Sequence, residues 1–290
     1  MTEDLAEVHA RNDALLARVT EEITLDTFDR GNLEVLQQLV AGLGDSRGVV
    51  RLAFAETLGQ IGEVATPLLV EALLHHEDVV LRRAAAKTLT LIADPKAVPA
   101  LLQAFLHDTD TVVRGSAAGA LARTGVAAAP GLLEILAHPD YSQDIKGHAA
   151  WALAFMGAEA ADYLFQALHA DNLDVRCAVI GAIAQVAKEN LDPQACQVLL
   201  EALRDKEELI RVEACAALGQ LSYPPAFPHL LAALQDEALE VRKTAITSLG
   251  KLGNPTAIPH LEPFLQDELP LLRTLAKLAI EQIQNYEALE

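Results

Sequence analysis

Few of the residues able to do chemistry in this chain stand at the spacings chemistry requires. The three cysteines, Cys177, Cys196 and Cys215, form neither a C-x-x-C pair nor a Cys/His finger, which argues against structural zinc or a disulfide framework. No G-x-S-x-G elbow, phosphate loop or G-x-G-x-x-G turn stands in a strand–turn–helix context, and no nucleophile stands beside a base. One stretch remains: Lys146–Gly157, KGHAAWALAFMG, with the only tryptophan, Trp151. Its indole can stack on a ligand or fold over Phe155 as a local plug. His148 can touch a ligand, exchange a proton, or simply be solvated. The metal-binding expectation is none.

The elements that must position these groups follow from composition and period. The chain has 290 residues, 51% hydrophobic and only 4% aromatic, with net charge −19. That suits a large core built from Ala, Leu and Val. No apolar run reaches the ~18 residues of a membrane span, and the acidic N-terminus MTEDLAEVHARND is not a signal peptide. The expectation is a cytoplasmic protein without membrane insertion. The acidic balance disfavours nucleic acid, whose binding needs cations to displace counterions.

Arg51, Arg82, Arg114, Lys146, Arg176, Arg211, Arg242 and Arg273 begin copies of one pattern, at spacings of 31, 32, 32, 30, 35, 31 and 31 residues. Asp45, Asp108, Asp140, Asp205, Asp236 or Asp267 stands six residues earlier; His76 and Ala170 take that place in two copies. Apolar residues at three- and four-residue spacing flank each Asp, so each unit reads as two antiparallel helices, A then B. Asp94-Pro95, Asp192-Pro193 and Asn254-Pro255 read as capped helix starts. A lone helix pair cannot bury its apolar face, so the units must stack. The predicted fold is all-α: a right-handed α-solenoid of about eight helix pairs over 31–290 behind a helical cap at 1–30. The 35-residue spacing predicts a loop insertion near Asn190–Asp192, and the polar tail from Gln282 closes the last unit.

This pattern resembles the HEAT repeats, and more closely their short Ala-rich variant, the phycobilin-lyase repeats, over residues ~33–285. The resemblance implies that the eight basic positions and their aspartates form a structural ladder between units, because a partly buried guanidinium needs a partner. It also implies that the B helices line a concave groove. A di-iron hydroxylase shares the HEAT-like fold, but its mark is His-Glu after the basic position of several B helices. Here His75-His76-Glu77 occurs once and before helix B, so that chemistry is rejected.

Numbering each B helix from its basic residue, positions +1, +2, +5 and +9 oppose the apolar face at +3, +4, +7, +10 and +11. The stripe they form holds Arg83, Lys87, Arg123, Lys243 and Lys251 against Glu56 and Glu213, so it is mildly basic and would focus an anion. Its centre holds Gly147, His148, Trp151 and Phe155, with Gly119 and Gly181 at +5 of the adjoining repeats and Cys177 at +1 of the next. Mid-helix glycine costs ~1 kcal/mol relative to alanine. The candidate groove is therefore His148, Trp151, Phe155, Gly119, Gly181, Arg123, Cys177, Lys87 and Arg83, with no catalytic residue assigned.

The functional expectation is a non-catalytic adaptor or chaperone with a protein partner, linked to bilin handling and with at most a transient bilin as cofactor. Two alternatives come from the resemblance. One is a phycobilin lyase attaching or removing a linear tetrapyrrole. The other is a partner of an A-type iron–sulfur assembly scaffold, met by Cys177 and His148.

Overall fold

The structure is a computed structural model and describes residues 5–190 and 192–287. Their secondary structure is helical throughout. Helix α1 (Leu5–Thr24) precedes eight A–B pairs: α2 (Leu33–Gly42) with α3 (Gly48–Ile61), α4 (Thr66–His75) with α5 (Val79–Ile92), α6 (Val98–His107) with α7 (Thr111–Arg123), α8 (Ala129–Ala137) with α9 (Gln143–Met156), α10 (Ala161–Ala167) with α11 (Leu173–Asn190), α12 (Pro193–Ala202) with α13 (Glu208–Leu221), α14 (Phe227–Ala233) with α15 (Leu239–Leu252), and α16 (Ile258–Leu261) with α17 (Pro270–Glu287). The all-α helix-pair architecture is the one the period predicts. The predicted loop insertion is corrected: the extra residues lengthen α11, which runs to Asn190, while Leu191 lies outside the described residues, as do 288–290 of the tail. The tail residues through Glu287 continue α17.

The chain divides into two compact units. The first contains the residues up to Ile135 with Asp140–Ala152; the second contains Leu136–Pro139 with the residues from Leu153 onward. In the first, α3 packs on α5 and α5 on α7; in the second, α11 packs on α13, α13 on α15 and α15 on α17. Small residues allow this B-on-B contact. Position +6 is Thr57, Thr88, Ala120, Ala152, Ala182, Ala217, Ser248 and Ala279, all buried, although the apolar pattern had not put +6 in the core. In the second unit, +8 of one repeat meets +6 of the next: a β-carbon on Gly219 would stand 2.5 Å from Ser248 Cβ, and one on Gly250 2.9 Å from Ala279 Cβ.

The Asp and Arg positions have two jobs, both dictated by the A–B loop. The aspartate accepts the backbone N–H two residues on: Asp45 from Arg47 at 2.8 Å, Asp108 from Asp110 at 2.8 Å, Asp205 from Glu207 at 2.9 Å, Asp236 from Ala238 at 2.9 Å. The guanidinium six residues later donates to the carbonyls on the other side of the same loop, as Arg242 does to Asp236 and Glu237 at 2.7 and 2.9 Å. In several copies its remaining N–H groups reach the aspartate of the following repeat. Arg82 meets Asp108 at 3.0 and 3.2 Å, Arg176 meets Asp205 at 2.9 Å, and Arg211 meets Asp236 at 2.8 Å twice.

The divergent copies keep the loop by other means. His76 accepts the Asp78 N–H through Nδ1 at 3.1 Å, and Asn172 caps α11 while donating to the Ala137 carbonyl at 3.0 Å. Asp45 has no preceding repeat, and α1 supplies the missing donor, Asn12, at 2.9 Å. The predicted Pro starts are corrected in detail. Asp192 caps an α-helix directly. Asp94 and Asn254 instead cap 3-10 turns at Pro95–Ala97 and Pro255–Ala257, and a second proline, Pro99 or Pro259, sits in the first turn of the α-helix that follows.

Candidate functional site

None of the thirty-two +1, +2, +5 and +9 residues is buried, and repeat 4 is the one repeat in which all four are exposed. Trp151 is 50% exposed and Phe155 52%. The other side of α9 explains why: Ala149, Ala152, Leu153 and Met156 fill the core and fix the helix's rotation.

Asp144, His148 and Trp151 follow at i, i+4 and i+7, so they share one face of α9. His148 Nδ1 lies 2.8 Å from the Asp144 carbonyl oxygen. A carbonyl only accepts, so Nδ1 carries the hydrogen and Nε2 of the neutral ring is left as an acceptor. The Asp144 carboxylate is 3.7 Å from the same nitrogen. The Phe105 ring, from α6, meets the imidazole edge-on with centroids 6.3 Å apart. Gly115, Gln143, Asp144, Gly147, His148 and Trp151 line an open depression of about 630 Å³, and a smaller one of about 190 Å³ adjoins it against Phe105 and Thr111. Sequence reasoning missed Asp144, Gln143 and Phe105. Asp144 was findable, since it stands one turn before His148; Phe105 belongs to another repeat, and nothing in its spacing points at α9.

The glycines are not explained by packing. A β-carbon added at Gly115, Gly119, Gly147 or Gly181 would meet no atom within 4 Å. In the first unit, therefore, no side chain fills the room that Gly119 leaves. The helix forgoes about 1 kcal/mol at each such position relative to alanine, and the bare backbone faces open space.

The basic stripe is weaker than its letters suggest. Arg83 forks onto Asp110, the cap of α7, at 2.9 and 2.5 Å, which raises the Arg83 pKa and holds the Asp110 carboxyl well below its usual range. Lys243 holds Glu240 at 2.8 and 2.6 Å. Arg83 therefore offers a neutralised pair to the stripe, not the free cation its position suggested. Among the described residues, Lys87, Arg123 and Lys251 are the stripe cations without an ion pair. Cys177 is half-buried in the second unit, whereas His148 stands in the first. Burial, then the charge of Glu213, pushes the Cys177 thiol up to about 11, so at neutral pH it is not a thiolate. Burial likewise raises Cys196, and pushes Cys215 to about 12. Among the described residues no cluster of three His, Cys, Asp or Glu side chains could hold a metal ion. No helix there is long and apolar enough to cross a membrane.

Comparison with known proteins places this geometry in context. The HEAT repeats match residues 33–122, 66–142, 129–211 and 197–281. The bilin biosynthesis protein MpeU of Synechococcus sp. (strain WH8020) is 41% identical over 208 residues, 71% of this chain and 69% of that protein. Among solved structures, the karyopherin Kap121p superimposes with TM-score 0.58 at 15% identity, covering 94% of this chain and 36% of its own. Kap95p in complex with RanGDP gives 0.52 at 15%, covering 87% and 41%. These two likenesses concern the fold alone.

Proposed function

The chain belongs to the HEAT-repeat family, of the phycobilin-lyase-repeat type, and on that premise we propose that it holds a linear tetrapyrrole on the α7–α9 face and presents it to a client protein. The observation that carries the reading is the depression in which Trp151, His148 and the bare backbones of Gly115 and Gly147 meet. A flat conjugated ligand gains from an indole face on one side and from glycine, which lets it approach the backbone, on the other. Asp144 offers a carboxylate to pyrrole N–H groups. Arg123, eight residues and so about 12 Å along α7 from Gly115, offers a cation to a propionate. The name of the 41% identical relative supports the choice of ligand.

The test is a titration with biliverdin. Trp151 is the sole tryptophan, so its emission reports the site directly. Quenching with a shift in bilin absorbance is expected, and Trp151→Ala should weaken binding at least tenfold. Wild-type protein that neither quenches nor shifts the absorbance would end the proposal. Affinity purification of the wild type against Trp151→Ala tests the client half; equal recoveries would count against it.

A catalytic version, covalent attachment of the bilin to a client cysteine, draws support from the free acceptor at His148 Nε2. The adduct would survive denaturing electrophoresis. In this version His148→Ala loses the adduct while keeping reversible binding; adduct formation unaffected by that change would remove His148 from any chemistry.

A further inference from the structure

The same helical face of the first unit carries a second depression, of about 470 Å³, on the repeats nearer the N-terminus. Leu52 and Ala55 of α3, Ala84 and Leu91 of α5 and Val112 of α7 form apolar walls, and Lys87 stands among them. Leu52 and Leu91 are more than half exposed, at 57% and 55%. Ala84, Lys87 and Leu91 fall at i, i+3 and i+7, so α5 presents all three together. Gly59 admits this arrangement, because a β-carbon there would stand 3.3 Å from Leu91 Cβ; its absence lets Leu91 lie against α3.

Three cations border the depression; a carboxylate neutralises Arg83, and backbone carbonyls hold Arg51 in place. Arg51 donates to the carbonyls of Asp45 and Ser46 at 2.6 and 3.1 Å, and Arg83 is forked onto Asp110. Lys87 is exposed and has no ion pair among the described residues. An apolar hollow of ~300–1,000 Å³ with a few placed polar groups is the form that small-molecule sites take. Arg51 keeps its charge but is tied to the loop carbonyls, whereas the Lys87 ammonium is held by no ion pair among the described residues, so the complementary ligand sets an anionic head on Lys87 and an apolar body on the leucines.

We propose that this depression binds a small aliphatic monocarboxylate, with its chain on Leu52, Leu91 and Val112 and its carboxylate on Lys87 Nζ. The site shares no lining residue with the Trp151 depression and stands independently of the tetrapyrrole reading. The experiment titrates the whole chain with 8-anilinonaphthalene-1-sulfonate, a fluorescent apolar monoanion, and then competes it with decanoate. Expected are saturable enhancement, displacement by decanoate, at least tenfold weaker binding in Lys87→Glu and Leu91→Gln, and an unchanged affinity in Trp151→Ala. Lys87 is exposed, so its variant should keep the wild-type melting curve; Lys87→Gln, which also removes the charge, provides the second reading. Fluorescence that decanoate does not displace, affinity unchanged by either Lys87 substitution, or a loss shared by Trp151→Ala would overturn the proposal.

Discussion

At the scale of single residues, Arg211 illustrates what the repeat asks of its basic position. Its guanidinium forks onto Asp236 and also donates to the carbonyls of Asp205 and Lys206 at 2.9 and 3.2 Å. It is 8% exposed, so its polar partners have little access to replacement water. Arg211→Ala should cost about 3 kcal/mol, the range for breaking a buried charged pair from one side, measured by urea unfolding. Arg211→Lys should recover only part of that loss, because an ammonium is a point charge and cannot fork while also reaching the loop. His148 presents the opposite case. Its hydrogen bond is to its own helix, so His148→Ala should leave stability within about 0.5 kcal/mol of wild type, and any loss of bilin handling in that variant would come from the site and not from unfolding.

At the scale of elements, glycine means different things on two faces of similar helices. Gly219 lies where α13 meets α15, and a β-carbon there would come within 2.8 Å of the Ser248 backbone as well as its side chain. Gly219→Ala should therefore destabilise by about 1–3 kcal/mol through overpacking. On the exposed stripe, Gly115→Ala and Gly147→Ala meet no neighbour, so each should stabilise its helix by up to about 1 kcal/mol. If the bare backbone is the floor of the tetrapyrrole site, the same two variants should bind biliverdin more weakly. Thermal melts and the Trp151 quench, measured on one preparation, check both halves. Stabilisation with undiminished binding would show that the glycines do not serve the ligand. The repeats were legible at this scale because the spacing of Arg and Asp fixes the loops and the three- and four-residue apolar period fixes the helices. The core role of position +6 was not, since Thr57, Thr88 and Ser248 are polar in type and are buried by how closely successive B helices approach.

At the scale of the molecule, a net charge of −19 coexists with aspartates that folding holds ionised. Asp45 is lowered chiefly by Arg47, Asp110 by Arg83 and Asp236 by Arg211, each through hydrogen bonds to the guanidinium. These groups are in both units. Their folded pKa values lie below the unfolded ones, so the stability they give is complete above the ordinary carboxylate range, near pH 4. It is lost as pH falls from there through the folded values. Unfolding midpoints should hold level from pH 7 to about 5 and drop steeply below about 4, and Asp236→Asn should flatten part of that drop. A midpoint that rises on acidification below pH 4 would contradict the assignment.

The sequence alone determined the helix pairs, their number and the solvent-facing stripe, because local period and loop chemistry act within some thirty residues of chain. It also singled out the stretch around Trp151 by its contrast with the other copies. Which cations on that stripe are available was decided only by tertiary structure. Arg83 faces Asp110, twenty-seven residues away, and no period within one helix reveals that a cap in the next repeat will take up its charge. The same holds for the Phe105 ring against His148 and for the empty space over Gly119: contact between repeats is a property of their packing, and packing is settled by the shapes of both faces at once.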